Sequence, residues 1–367
     1  MTRLATPCFA TESGGLRLAL GFIVLSGLGV SFAPRLQAAA AQTKPAQTQL
    51  AVLKRWTIGG DGGWDYLSFD PATKRLFISR QSRVDVISVD GGTMVGTVAN
   101  TQGVHGIALA NDLRRGFTSN GRANSVTAFD LDSLKTIQEA EIPASNPDAI
   151  LYERQGGHVF TFNGASNDVT VLDAASLAVA ARIPLSDKPE FAANDAKGQI
   201  FVNIQSRPGR MAVIDSQTLS LKATWDLPGC DAPTGLAIDR EHHRLFSVCD
   251  AKVMVITNAQ NGKQVASVPI GAHPDAAVYD SRRARIYSSN GDGTLSVVHQ
   301  DTPDHYTAVQ TLATQRGART MALDPQSGQL YLVTADYGPA PAPSDAQPNP
   351  RPTPLAGTFV VLVVGTP

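Results

Sequence analysis

Seven aromatic residues recur along the chain at a nearly constant step: Phe77, Phe117, Phe160, Phe201, Phe246, Tyr287 and Tyr331, separated by 40, 43, 41, 45, 41 and 44 residues. A period of about 40 to 50 residues is the signature of β-propeller blades, in which one four-stranded unit repeats around a central channel. The grammar within each period agrees. A short apolar strand is followed by a polar turn, a second strand carrying the aromatic, a Gly/Asn/Arg-rich turn, a third strand of alternating β-branched residues and a more polar fourth strand. In the first repeat these strands fall at 66–69, 75–79, 84–89 and 93–98.

Aspartates punctuate the same period. Asp70, Asp239, Asp280 and Asp324 stand seven residues before the aromatic, and Asp90, Asp130, Asp173 and Asp215 end the third strand of the first four repeats. A catalytic residue is needed once, so recurrence assigns these side chains to the turns, where Asp bonds to nearby backbone.

The last repeat supplies only three strands, at 320–323, 329–334 and 358–364, while 50–58 offers an extra strand ahead of the first repeat. Pairing the two would remove both exposed sheet edges. The sequence therefore predicts an all-β, seven-bladed β-propeller over residues 51–367, its last blade closed by the N-terminal strand. Residues 338–357 interrupt that blade with seven prolines, at 339, 341, 343, 348, 350, 352 and 354. Such a segment lacks backbone donors and predicts a solvated, partly extended loop, read first as a spacer, with a lid or a docking strip as alternatives.

Residues 1–41 read as a signal peptide and 42–50 as a linker. Arg3 and Arg17 precede an apolar stretch at 18–33, Pro34 ends it, and Ala38 to Ala41 offer a small-residue cleavage site. The stretch is short of the roughly 18 apolar residues of a membrane span. A periplasmic or secreted protein, without a span after cleavage, is expected. Losing Arg3, Arg17, Arg35 and Glu12 moves the formal charge from −1 to −3. A mildly acidic protein is poorly suited to nucleic acid, whose binding needs clustered Lys and Arg. Cys230 and Cys249 remain after cleavage, and in an oxidising compartment an even count favours a disulfide. Cys249 is expected opposite Thr234, near the loop that holds Cys230, and the bridge contributes roughly 3 kcal/mol at most.

The second strands at 285–290, 158–163 and 329–334, with third strands such as 167–173, resemble the Tyr-Val-Thr-Asn repeat of the YVTN β-propellers. That resemblance spans residues 51–367 and implies an exported, YncE-like propeller acting as a binding or surface protein. The chain has Phe for Tyr in five repeats.

Counting back twelve residues from each aromatic, with one deletion in the fourth repeat, gives Asp65, His105, Asp148, Glu190, Thr234, Asp275 and Arg319. These are expected to ring one mouth of the channel. Three residues past the aromatics lie Arg80, Asn120, Asn163 and Asn290, expected as a second ring, with Arg83, Arg122, Arg207, Arg210 and Lys252 as a basic margin. An acidic centre with Asn donors suits a polar or zwitterionic small molecule, or a cation at the carboxylates.

Two functions at this mouth stay open, beside a third possibility, a surface adhesion or scaffold protein that does not use the ring. The first is a monomeric, non-enzymatic protein that binds a small polar ligand or a partner protein at this mouth and needs no cofactor. The alternative is a divalent-metal-dependent lactonase or related hydrolase that uses the same ring with Ca²⁺, by analogy with propeller lactonases. Gly59 to Gly63 lack the Lys and helix of a phosphate loop, and no Gly-x-Ser-x-Gly elbow is present.

Overall fold

The computed structural model describes residues 49–342, 350 and 352–367, together with Gly21. The signal-peptide and linker readings otherwise fall outside the described residues, apart from the linker's last two positions. So does the tip of the proline-rich insertion, residues 343–349 and 351.

All regular structure among the described residues is β. The strands are β1 (Ala51–Thr57), β2 (Leu67–Asp70), β3 (Arg75–Ser88), β4 (Thr93–Ala110), β5 (Arg115–Asn120), β6 (Ser125–Asp130), β7 (Thr136–Glu141), β8 (Pro147–Glu153), β9 (His158–Asn163), β10 (Asp168–Asp173), β11 (Val179–Pro184), β12 (Pro189–Asn194) and β13 (Gln199–Ile204). They continue as β14 (Arg210–Asp215), β15 (Ser220–Asp226), β16 (Pro233–Asp239), β17 (Arg244–Cys249), β18 (Val253–Asn258), β19 (Gln264–Pro269), β20 (Pro274–Asp280), β21 (Arg285–Asn290), β22 (Thr294–Thr302), β23 (His305–Ala313), β24 (Met321–Leu323), β25 (Leu330–Thr334) and β26 (Val360–Gly365).

The strands form a β-propeller of six hydrogen-bonded blades, which corrects the expected count of seven. Five blades have four strands each, and the first two aromatic repeats share one six-stranded blade, β2 to β7. The cause is local. The turn expected between two strands at 80–83 and the link expected at 99–103 are absorbed into β3 and β4, which bend at Gln81 (φ 54°) and at Asn100 and Gly103 (φ 63° and 72°). A Gln81–Val104 pairing then joins the two halves.

Antiparallel meanders order every other blade from a channel-lining strand outward. The innermost strands β2, β8, β12, β16, β20 and β24, with the second leg of β4, neighbour one another in a closed ring. β1 pairs with β26, so both ends of the described chain complete one blade, β1-β26-β25-β24.

All seven periodic aromatics are buried, none above 1% exposed. They fill the space between successive sheets. Phe117 lies 6.2 Å from Tyr152 of β8, Phe246 lies 5.3 Å from Tyr279 of β20, and Tyr331 lies 5.6 Å from Phe69 of β2, which seals the last blade against the first. The aspartates do turn work. Asp70, Asp239, Asp280 and Asp324 each accept from a backbone N–H two residues ahead, as do Asp130, Asp173 and Asp215. Asp90 instead stands 3.7 Å from Lys74. Cys230 and Cys249 form a disulfide, and Cys249 pairs with Pro233 rather than Thr234.

Two outcomes test this architecture. Phe160→Ala should cost about 3–5 kcal/mol, measured by urea unfolding, because a fully buried ring leaves a cavity between sheets. Removing residues 49–58 should leave β26 as an unpaired edge and abolish the monomer in size-exclusion chromatography; an unchanged elution volume and melting temperature would contradict closure by β1.

Candidate functional site at the channel mouth

Hydrogen bonds from second-strand side chains to the backbone at the inner strands fix the mouth. Ser119 donates to the Asp148 carbonyl of the next inner strand, Ser289 to the Arg319 carbonyl, and Asn203 to the Thr234 and Gly235 carbonyls at 2.8 and 3.1 Å. Ser79 receives the Asp65 N–H at 3.1 Å and donates to the Tyr66 carbonyl at 3.2 Å. Ser79, Ser119, Asn203 and Ser289 each stand two residues past a periodic aromatic. This signal was available in the sequence.

The backbone positions so held carry the polar cluster. His105 Nδ1 lies 2.6 Å from Asp65 Oδ2 and 3.9 Å from Asp148 Oδ1. Gly121 makes room for this imidazole, since a Cβ there would come within 2.7 Å of the His105 ring and 2.6 Å of Asn146 Oδ1. Across the mouth, Lys188 Nζ lies 2.7 Å from Glu190 Oε2 and donates to Gln205 Oε1 at 2.9 Å. The Lys188–Glu190 contact is an ion pair rather than an aligned hydrogen bond. Arg319 Nε stands 3.3 Å from Asp275 Oδ2.

Four carboxylates thus face two permanent cations and one histidine. The side chains of Asp148, Glu190 and Asp275 are each only 12% exposed, so water screens them poorly. Burial first, then the charge of Asp65, pushes Asp148 up to about 6. Burial and Asp148 push Glu190 up to about 7, and burial outweighs Arg319 to bring Asp275 to about 7. Burial opposes the charge on His105, but its hydrogen bond with Asp65 and the field of Asp148 outweigh that and raise its pKa. Lys188 is raised too, Glu190 outweighing its burial.

Beneath the cluster, Tyr66 and Phe191 meet across the channel at 5.3 Å. Burial and then the fields of Asp148, Glu190, Asp65 and Asp275 raise the Tyr66 phenol well above its usual value. The pair separates the polar mouth from a cavity of about 210 Å³ lined chiefly by Ile107, Ala149, Ile150, Ala276 and Met321.

Above it the mouth has two lobes that both border Gly63 and Trp64. One, of about 340 Å³, is lined by Asp65, His105, Gln81, Arg122 and Asn146. The other, of about 450 Å³, is lined by Trp64, Arg316, Arg319, Tyr337 and two residues of the insertion, Pro352 and Pro354.

Of the sequence-derived residues, Asp65, His105, Asp148, Glu190, Asp275 and Arg319 come together, whereas the second ring does not face the mouth. Arg80 is 1% exposed, stacks 3.8 Å from the Phe359 ring centroid, donates to the Asp61 carbonyl and pairs with Asp85. Asn120, Asn163 and Asn290 are fully buried and donate across their own blades, Asn120 to Ser125 and Thr127, Asn163 to Asp168 and Thr170, Asn290 to Thr294 and Ser296. Their amide N–H groups tie the second strand to the third and are used within the fold, while Asn163 Oδ1 is buried without a partner among the described residues. Thr234 is also spent, donating to the Pro274 carbonyl at 2.8 Å. Lys188, Tyr66, Trp64 and Tyr337 are additions; Trp64 and Tyr66 flank Asp65 in sequence, and Lys188 stands two residues before Glu190.

Asp65, His105 and Asp148 also bring ligand atoms within 4.8 Å of one another, a span suited to one divalent cation.

The raised carboxylate values give a pH dependence. Between about pH 4 and pH 7 the folded protein holds protons at Asp148, Glu190 and Asp275 that the unfolded chain has released. Their contribution is complete below the unfolded values and is lost as pH rises through the folded ones, and His105, also raised, acts in the same sense. The melting temperature should fall from pH 5 to pH 8, with on the order of 1 kcal/mol of that loss arising at Asp148 alone. Glu190→Gln should flatten that slope; a melting temperature that rises over this interval would contradict the assignment.

No family model matches the sequence, and no curated protein is significantly similar to it. Among solved structures, the fold is similar to Kuenenia stuttgartiensis hydrazine synthase, with 16% identity, a TM-score of 0.65 and coverage of 74% of this chain and 92% of that one. It is also similar to a chain in the structure of the mitotic checkpoint complex, with 16% identity, a TM-score of 0.68 and coverage of 83% and 95%. At such identity the likeness concerns the β-propeller fold alone. No helix among the described residues is long and apolar enough to cross a membrane.

Proposed function

We propose that this propeller is a non-enzymatic binding protein that takes a small polar ligand bearing a positive charge at the mouth ringed by Asp65, His105, Asp148, Glu190, Asp275 and Arg319. One observation carries the reading: carboxylates from four inner strands converge above Tyr66, with three of them driven towards protonation by burial and by one another. A bound cation relieves that repulsion. Propellers commonly bind ligands or partners at such mouths.

Export, to the periplasm or beyond, belongs to the same proposal. It is supported by the N-terminal charge and apolar pattern and by the Cys230–Cys249 disulfide, a bond typical of oxidising compartments. Kinship with YVTN repeats rests on the second-strand motifs. A second reading draws on the Asp65–His105–Asp148 cluster: a divalent cation held there, Ca²⁺ for example, would polarise a lactone or ester for hydrolysis.

Calorimetric titration separates the readings. Hexylamine should bind at pH 8 and low salt, and the double variant Asp65→Asn/Asp148→Asn should weaken it by about tenfold or more. Hexylamine binding that is equal in the variant discards this mouth as the site. One tightly held calcium per chain, in protein prepared without chelator and hydrolysing a lactone panel, would favour the hydrolase.

A further inference from the structure

We infer that the larger lobe of the mouth is an anion subsite, so that the ligand is a zwitterion whose ammonium sits over the carboxylates and whose carboxylate meets Arg316. This rests on the cation-binding reading of the same mouth. Among the described residues Arg316 has no carboxylate partner; its guanidinium lies 6.0 Å from the Tyr337 ring centroid and lines the cavity of about 450 Å³. Arg319, beside it, is already engaged by Asp275. The lobe therefore offers one uncommitted guanidinium, the side chain best suited to grip a carboxylate through two parallel N–H donors.

Beside Arg316, Arg319 and His273, the lobe is walled by aromatic rings and prolines. Tyr337 stands 6.2 Å from Trp64, and Trp64 in turn packs 5.2 Å from Phe359. Gly317 (φ 78°) allows the Tyr337 hydroxyl to approach the backbone, where any Cβ would collide with it. The insertion's base is tied down by a short ladder: Gly338 N–H donates to the Thr353 carbonyl at 3.0 Å and Leu355 N–H to the Asp336 carbonyl at 2.8 Å. This holds Pro352 and Pro354 against the cavity. These residues thus line the site, where the sequence alone favoured a spacer over a lid or a docking strip.

Because the two lobes share Gly63 and Trp64, a single ligand reaches both, its apolar stem crossing the Trp64 ring. The chemical class is an amino carboxylate with separated charges, and the cavity's volume lies within the usual range for small-molecule sites.

Titrations with 4-aminobutyrate, 6-aminohexanoate and 8-aminooctanoate, beside hexylamine and hexanoate, test this. At least one amino acid of the series should bind about tenfold or more tightly than hexylamine, and hexanoate should be weaker than either. Arg316→Gln, at an exposed position, should bring the best zwitterion down to the level at which the same variant binds hexylamine, without weakening hexylamine itself. If hexylamine binds but no amino acid of the series gains over it, the anion subsite is wrong and the cation site stands. If hexylamine itself fails to bind, both fall. A gain that survives Arg316→Gln also overturns the assignment.

Discussion

The contact of each inner strand with the next, around to the first, is the constraint on which everything else depends. Hydroxyl and amide side chains on second strands reach backbone carbonyls at the inner strand of the next blade, as Ser119 does at Asp148 and Ser289 at Arg319. The buried aromatics between sheets supply the apolar driving force, and these polar links satisfy backbone carbonyls at the blade junctions. Pairing of β1 with β26 makes the ring continuous in the chain as well as in space.

A ring held this firmly can gather like charges that a flexible surface would disperse. Asp148, Glu190 and Asp275 stay near one another although burial and mutual repulsion disfavour their ionised forms. Lys188, Arg319 and His105 offset part of that cost. The remainder is an electrostatic deficit directed at the channel mouth, and it is the property that a cationic group relieves. Stability and ligand preference are here two expressions of one charge arrangement.

Much of this was legible in the chain because a blade is a local object. The spacing of Phe77 to Tyr331 registers each second strand, the recurring aspartates mark turns, and the surplus strand ahead of the first repeat marks the closure. Readings failed where local pattern does not control the outcome. Blade number changed because β3 and β4 bend through a link that was expected to be free, joining two repeats in one sheet. Asn120, Asn163 and Asn290 look like ligand donors by position, yet their amides are consumed by hydroxyls and a carboxylate of the adjacent strand. The proline-rich insertion gave no sign that its base would pair beside Tyr337 and line a cavity.

The sequence by itself determined the repeat, the buried aromatic ladder, the aspartate turns and the set of residues that stand at the start of each inner strand. These follow from strand periodicity and turn chemistry, which act over a few residues. Only the tertiary structure decided which of those side chains meet, that His105 bridges towards Asp65 and Asp148 while Thr234 turns away to Pro274, and that Trp64 divides the mouth into two lobes. Distances across a ring depend on its curvature and closure, and those are properties of all the blades together.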